Sequence, residues 1–176
     1  MTLRDATVDD IPALAALHLA AWKAAYSHIL PPEQWESLTI EEFSRRWQTA
    51  LETSSTENRG NRVIETQSEV AGFVSYGPPK EPLPTAEPPL QTAEIYALYV
   101  HPNHWRGGYG RLLLDDALLQ LRLTGFQRVL LWTWEQNSRA RSFYERLGFT
   151  QEGVPILRDR FGAPIPEVCY SRIVGS

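Results

Sequence analysis

The sequence predicts a mixed α/β fold, a sheet flanked by helices, forming one domain over residues 1–176. Three observations predict it. "AEIYALYV" (93–100) and "RVLLWTW" (128–134) are nearly continuous apolar runs of strand length, as strands at the centre of a sheet are. A loop with three glycines, Gly107, Gly108 and Gly110, joins the first run to a leucine-rich stretch with helical spacing. Strand-like and helix-like segments then follow one another without an internal repeat or a break in composition.

The elements can be justified in chain order. Leu3 to Val8 reads as a short strand. Asp9 and Asp10 precede Ile11-Pro12, so the next helix starts with acidic residues and a proline in its first turn. Leu14, Leu17, Ala21 and Tyr26 keep helical spacing, and Pro31-Pro32 ends the segment. Thr39 with Glu42 fits a capping box ahead of Phe43, Trp47 and Leu51. The polar stretch Thr53 to Asn61 is a loop. Arg62 to Thr66 and Val70 to Tyr76 read as two strands meeting at a turn. Gly77 to Thr92 is proline-rich and irregular, a spacer or a cover over a site. A helix runs from Tyr109 to Thr124 and stops at Gly125; another is capped by Asn137 and Ser138 and ends at Gly148. Phe149 to Gly153 and Glu167 to Val174 are the last strands, joined by a segment with turn residues Asp159, Gly162 and Pro164.

Composition narrows the function. A net charge of −4 speaks against a dedicated binder of nucleic acid or anionic membranes. The single cysteine, Cys169, rules out an internal disulfide and a multi-cysteine metal site. It reads as a core residue, too ordinary to carry a covalent acyl group. The N-terminus has no apolar signal core and no run approaches a membrane span, so the expected location is cytoplasmic.

The glycine loop is the most informative segment. It ends at a helix N-terminus, where unpaired backbone N–H groups and the macrodipole favour an anion, a phosphate above all. Glycines let the amides approach it, and Arg106 and Arg111 flank them. A P-loop is excluded because Arg111-Leu112 stands where Lys-Ser/Thr is required, and a dinucleotide fingerprint is excluded by the bulk of Leu113. A glycine turn without a ligand is the competing reading.

"AEIYALYVHPNHWRGGYGRLLLDDAL" closely resembles the acetyl-CoA-binding core of the GNAT superfamily of N-acetyltransferases, with its strand ending in V-x-P, its [RQ]-x-x-G-x-[GA] loop and its helix. Gly108-Tyr109-Gly110 match the glycine positions, Trp105 occupies the Arg/Gln position and Arg106 follows it. A second block, "EQNSRARSFYERLGF", matches N-x-x-A-x-x-F-Y-x-x-x-G-F with Asn137, Ala140, Phe143, Tyr144, Gly148 and Phe149 in place. "DATVDDIPALAALHLAAW" is similar to the family's first strand and helix, so the resemblance spans most of the chain.

The resemblance implies a GNAT fold, with a central mixed, mostly antiparallel sheet and a splayed central strand pair. It implies that amides from Gly107 to Arg111, Tyr109 among them, hold the coenzyme A pyrophosphate with Arg106. Leu98, Tyr99 and Val100 would pair with the pantetheine arm, and Asn137 would both cap its helix and bond the coenzyme. Acetyl-CoA is the implied cosubstrate, with no metal, no nucleic acid and no membrane as partner; a homodimer is compatible with it.

Acetyl transfer to an amine requires a neutral nucleophile, whereas an alkylammonium of pKa about 10.4 leaves only about one molecule in 2,000 neutral at pH 7. Glu94, the only charge in its strand, is the candidate base; His101, Glu135 and a water chain are alternatives. An unpaired N–H near Leu98 or Tyr99 would stabilise the carbonyl oxygen as it gains charge. Tyr144, the family's tyrosine at this motif position, is the candidate acid for the departing thiolate; the competing reading packs it in the core. Trp22, Tyr26 and Trp35 fall where the family shapes its acceptor pocket, and Trp132 and Trp134 share a strand face; core packing is again the alternative. The expected function is acetyl-CoA-dependent N-acetyltransfer to a primary amine of a small molecule or peptide, by direct attack in a ternary complex. A non-catalytic acyl-CoA sensor on the same fold is the second hypothesis.

Overall fold

A computed structural model describes residues 1–30, 32–35, 38–54, 58–67, 69–81, 91–160 and 162–175. Most of the proline-rich connection between Gly77 and Thr92 lies outside them. Among the described residues seven strands form one sheet in the order β1-β2-β3-β4-β5-β7-β6. They are β1 (Thr2–Asp5), β2 (Gly60–Glu65), β3 (Val70–Gly77), β4 (Thr92–Val100), β5 (Arg128–Trp134), β6 (Thr150–Arg160) and β7 (Ala163–Ile173). Only β4 and β5 run parallel; every other neighbour pair is antiparallel.

The helices are α1 (Ile11–Tyr26), the short α2 (Pro32–Trp35), α3 (Ile40–Ser54), α4 (Tyr109–Leu123) and α5 (Ser138–Arg146). On one face, Leu14 and Leu17 of α1 and Trp47 of α3 pack on Val63 and Phe73. On the other, Leu113, Leu114, Ala117, Leu118 and Leu121 of α4 and Tyr144 of α5 pack on Val74, Ile95 and Leu131. Their spacing along α4 makes one apolar stripe. Leu113 and Leu114 are wholly buried, so truncating either to Ala would cost about 2–5 kcal/mol. No helix of the described chain is long and apolar enough to cross a membrane.

Several boundaries differ from the sequence reading. The first strand ends at Asp5, and Val8–Asp10 form a 3-10 turn. Asp10 there takes the guanidinium of Arg4 at 2.7 and 2.8 Å and the Thr7 N–H at 2.8 Å. The final strands are much longer than expected and meet at a turn where the Gly162 N–H donates to Asp159.

One irregularity positions the site. The β4–β5 ladder runs from Thr92–Arg128 to Ile95–Leu131 and stops there, although both strands continue. Beyond Ile95, β4 leans on β3 alone and β5 on β7. A bulge at Tyr96 interrupts the β3 register between Tyr76–Ile95 and Ser75–Ala97. It shifts the side-chain alternation, so that Glu94 and Tyr96 come to share a face with Ala97 and Tyr99.

Candidate active site

The gap between β4 and β5 opens on both sides of the sheet. On the α4–α5 side lies a cleft of about 890 Å³, lined by the free stretch of β4, the glycine loop and the start of α5. On the α1–α3 side lies a cavity of about 720 Å³. The two share a wall that includes Tyr26, Ala97, Tyr99 and Trp132.

The free edge of β4 can be assigned atom by atom. The His101 N–H donates to the Ala71 carbonyl at 2.8 Å. Antiparallel alternation then turns the amides of Tyr99 and Ala97 toward β3 and those of Leu98 and Val100 toward the gap. The Val100 carbonyl on this side accepts the Trp105 indole N–H at 2.8 Å. Of the two strand donors expected, Leu98 therefore faces the gap. Tyr99 does not, because its N–H belongs to the ladder.

The glycine loop meets this edge. Gly108 is the N-cap of α4 with φ of 81°, a left-handed conformation that costs any residue with a Cβ about 1–2 kcal/mol. The amides from Gly108 to Arg111 form the open first turn, and the Leu112 N–H closes back on the Gly108 carbonyl at 3.2 Å. Gly107 differs from the expectation: its N–H donates to the His104 carbonyl at 3.3 Å and so turns away from the open end. A Cβ on Gly110 would sit 3.4 Å from Phe143 and 3.7 Å from Val100. This small residue lets α4 close against α5 and β4. Arg106, Arg111, Arg139 and Arg146 line the cleft, and its lining residues include no Asp or Glu.

Three phenols gather at the gap. The Tyr26 hydroxyl lies 3.4 Å from that of Tyr99 and receives the Asn137 Nδ2 donor at 3.4 Å. Asn137 also caps α5, its Oδ1 accepting the Ala140 N–H at 3.1 Å. Tyr144 lines the loop-side cleft, with Phe143 and Phe149 against its ring. Burial pushes all three phenols above the ordinary tyrosine value, so each keeps its proton at neutral pH.

On the far side, α1 presents Trp22 and Tyr26, and β5 presents Trp132 and Trp134. Tyr26 packs against Trp134 with ring centres 4.2 Å apart. Glu94 borders this cavity, where burial raises its carboxyl above the usual range while the Lys80 N–H at 2.9 Å opposes the shift. Trp35, His101 and Glu135 border neither cavity. His101 is used in its own turn, where Nδ1 accepts the Asn103 N–H at 3.3 Å. Cys169 is buried, and burial pushes its thiol up to about 12.

Two features escaped the sequence reading. His18 lies among Phe43, Phe73 and Tyr99 with ring centres 4.5, 4.9 and 5.0 Å away. Burial lowers its pKa to about 3, and its Nδ1 has no partner among the described residues. Its i, i+4, i+8 spacing with Trp22 and Tyr26 was the available signal. Glu167, 2 % exposed, takes Arg160 through two bonds of 2.6 and 3.0 Å. No local pattern announces that pair, because the β6–β7 hairpin brings it together.

Residues 19–149 match the family model described as "Acetyltransferase (GNAT) family". The chain belongs to the GNAT acetyltransferase family. An uncharacterized N-acetyltransferase of Bacillus subtilis (strain 168), YuaI, is 31 % identical over 138 residues, 78 % of this chain and 73 % of the relative. Among solved structures, the PaiA N-acetyltransferase of Thermoplasma acidophilum in complex with coenzyme A superposes with a TM-score of 0.75 at 21 % identity, covering 96 % of each chain. The putative acetyltransferase yncA of Salmonella typhimurium, with its cofactor acetyl-CoA, gives a TM-score of 0.70 at 20 % identity over 98 % of this chain and 93 % of that one. In GNAT terms, Trp105 holds the first loop position and the second block forms α5 with its flanking turns. The mixed sheet with a splayed central pair is the fold the sequence implied.

Proposed function

We propose that the protein is an acetyl-CoA-dependent N-acetyltransferase acting on a primary amine of a small molecule or peptide, by direct attack in a ternary complex. The observation that carries this reading is the early end of the β4–β5 ladder. It leaves a strand edge with free donors facing a cleft that runs to a helix N-terminus suited to an anion, with a second cavity behind the same wall. The names of the relatives and the carriers bound in the solved neighbours support the same chemistry.

The residues present fit the carrier. Gly108 puts no side chain over the first turn of α4, and the surrounding cleft is basic, as a polyanion requires. The amides of Gly108 to Arg111 would hold its diphosphate with Arg111, Arg106 adds positive charge to the same cleft, and Leu98 and Val100 would align its arm. Acetyl-CoA, when bound, supplies an activated acetyl thioester.

The remaining work falls to this chain. The Leu98 N–H is the donor for the carbonyl oxygen that gains negative charge. Glu94 accepts the amine proton, directly or through water, helped by a carboxyl less acidic than usual. Tyr144 gives its proton to the departing sulfur. Trp22, Tyr26 and Trp134 bound the acceptor, and Asn137 holds the Tyr26 hydroxyl at the wall between the two sites. The buried, weakly acidic Cys169 supports direct attack over an acyl-enzyme. Thiol release from acetyl-CoA, measured against a panel of amines, tests the proposal. Amine-dependent release supports it, whereas binding without release across the panel supports the sensor.

A further inference from the structure

Most arginines of the described chain are engaged. Arg4 binds Asp10 and Glu65, Arg62 binds Asp116, Arg128 binds Glu152 and Arg160 binds Glu167. Among the described residues, the guanidiniums of Arg106, Arg122, Arg139 and Arg146 make no hydrogen bond or ion pair. Three of these four line the loop-side cleft, which has no acidic lining residue to answer them.

Arg139 is held in place all the same. Its guanidinium carbon lies 3.5 Å from the centre of the Trp105 ring, a cation–π stack. Trp105 is itself fixed by its indole bond of 2.8 Å to the Val100 carbonyl. Arg139 sits in the first turn of α5, which carries no acidic residue. A cation there opposes the helix macrodipole. Arg106, next to Trp105 in the chain, has φ of 66°, a left-handed backbone on a residue with a Cβ. One unpaired guanidinium thus lies on the Trp105 ring, at a helix end where an anion would relieve its charge, and a second, on the next residue in the chain after Trp105, lines the same cleft.

We propose that Arg139, clamped on Trp105, and Arg106 beside it form a phosphomonoester subsite separate from the amides of α4, and that it takes the ribose 3′-phosphate of the coenzyme A carrier. The inference rests on the coenzyme reading above. The two anionic groups of the carrier then divide between two kinds of donor. The diphosphate meets backbone amides at a helix end, and the terminal monoester, with its three free oxygens, meets planar forks suited to bidentate contact. Trp105, at the position where the motif has Arg or Gln, thus carries the Arg139 cation on its ring.

Calorimetry with coenzyme A and with 3′-dephospho-coenzyme A tests this on the wild type, R139Q and the control R122Q. Arg139 is exposed, so its replacement leaves the core intact, and melting temperatures verify that. Wild type and R122Q should bind coenzyme A about tenfold to hundredfold more tightly than the dephospho form. R139Q should lose most of that preference by weakening coenzyme A alone. Equal binding of both carriers by the wild type overturns the subsite and leaves the coenzyme reading standing. Equal weakening of both carriers in R139Q also overturns it, by assigning Arg139 to the diphosphate or the adenosine. Failure of the wild type to bind either carrier overturns the coenzyme reading as well.

Discussion

Gly108 and Tyr144 show how much a single residue decides. At Gly108 a Cβ meets nothing within 4 Å, so the penalty of a side chain there is conformational. G108A should lose about 1 kcal/mol of stability in a denaturant melt. Its affinity for acetyl-CoA should fall as well, since the strained cap carries the α4 amides proposed to hold the diphosphate. At Tyr144 the ring is packed, and the proposed mechanism gives a chemical role to the hydroxyl alone. Y144F should keep its stability and carrier affinity while turnover drops about a hundredfold, as loss of a general acid does. Glu94, as the proposed base, adds a pH signature. Its raised pKa moves the acidic limb of kcat/KM above the ordinary glutamate range, so the rate falls as pH drops through that raised value. E94Q should remove this limb and lower the plateau, and a limb that survives in E94Q would assign the base elsewhere.

At the scale of elements, the strands and helices that carry the site were legible and the features that shape them were not. The runs 93–100 and 128–134 read as central strands because almost every side chain in them is apolar, and α4 read as a helix because its leucines form a stripe. The bulge at Tyr96 has no local marker, since it arises from how β4 lies on β3. Yet it puts Glu94 on the same face as Tyr99. The β6–β7 hairpin was underestimated because Pro155, Pro164 and Pro166 break the pattern of strand residues, which an edge strand and a hairpin turn tolerate. The direction of Tyr99 also depended on register, which decides whether an amide faces the ladder or the gap.

The first turn offers a stability test at this scale. Arg4 and Thr7 hold the Asp10 carboxyl near a pKa of about 2, below the unfolded value of 3.8. Its contribution, about 2 kcal/mol, is therefore complete above pH about 4 and lost as pH falls toward 2. D10N should lose that amount at neutral pH, and its stability should depend less on pH between 4 and 2 than that of the wild type.

The whole molecule is a sheet opened at its centre, with a basic cleft on one face and an aromatic cavity on the other. The proposed function links folding and binding through that opening, because a carrier in the cleft would supply partners for the free edge of β4. Acetyl-CoA at about 100 times its dissociation constant should add about 2.7 kcal/mol of stability. For a domain of this size that raises Tm by about 5–10 °C in a thermal melt, and G108A should reduce the rise at the same ligand concentration. The aromatic cavity is less specified by the sequence, because its walls come from α1, β4, β5 and the distant β6–β7 hairpin together.

The central claim is that the open edge of β4 and the first turn of α4 together hold a thioester carrier. Residue-resolved amide hydrogen exchange with and without acetyl-CoA tests it most directly. Slowed exchange at Leu98, Val100 and Gly108 to Arg111, with the ladder-bonded Tyr99 amide unchanged, is the predicted result. Unchanged exchange at those amides under saturating carrier, or protection confined to another part of the molecule, would contradict it.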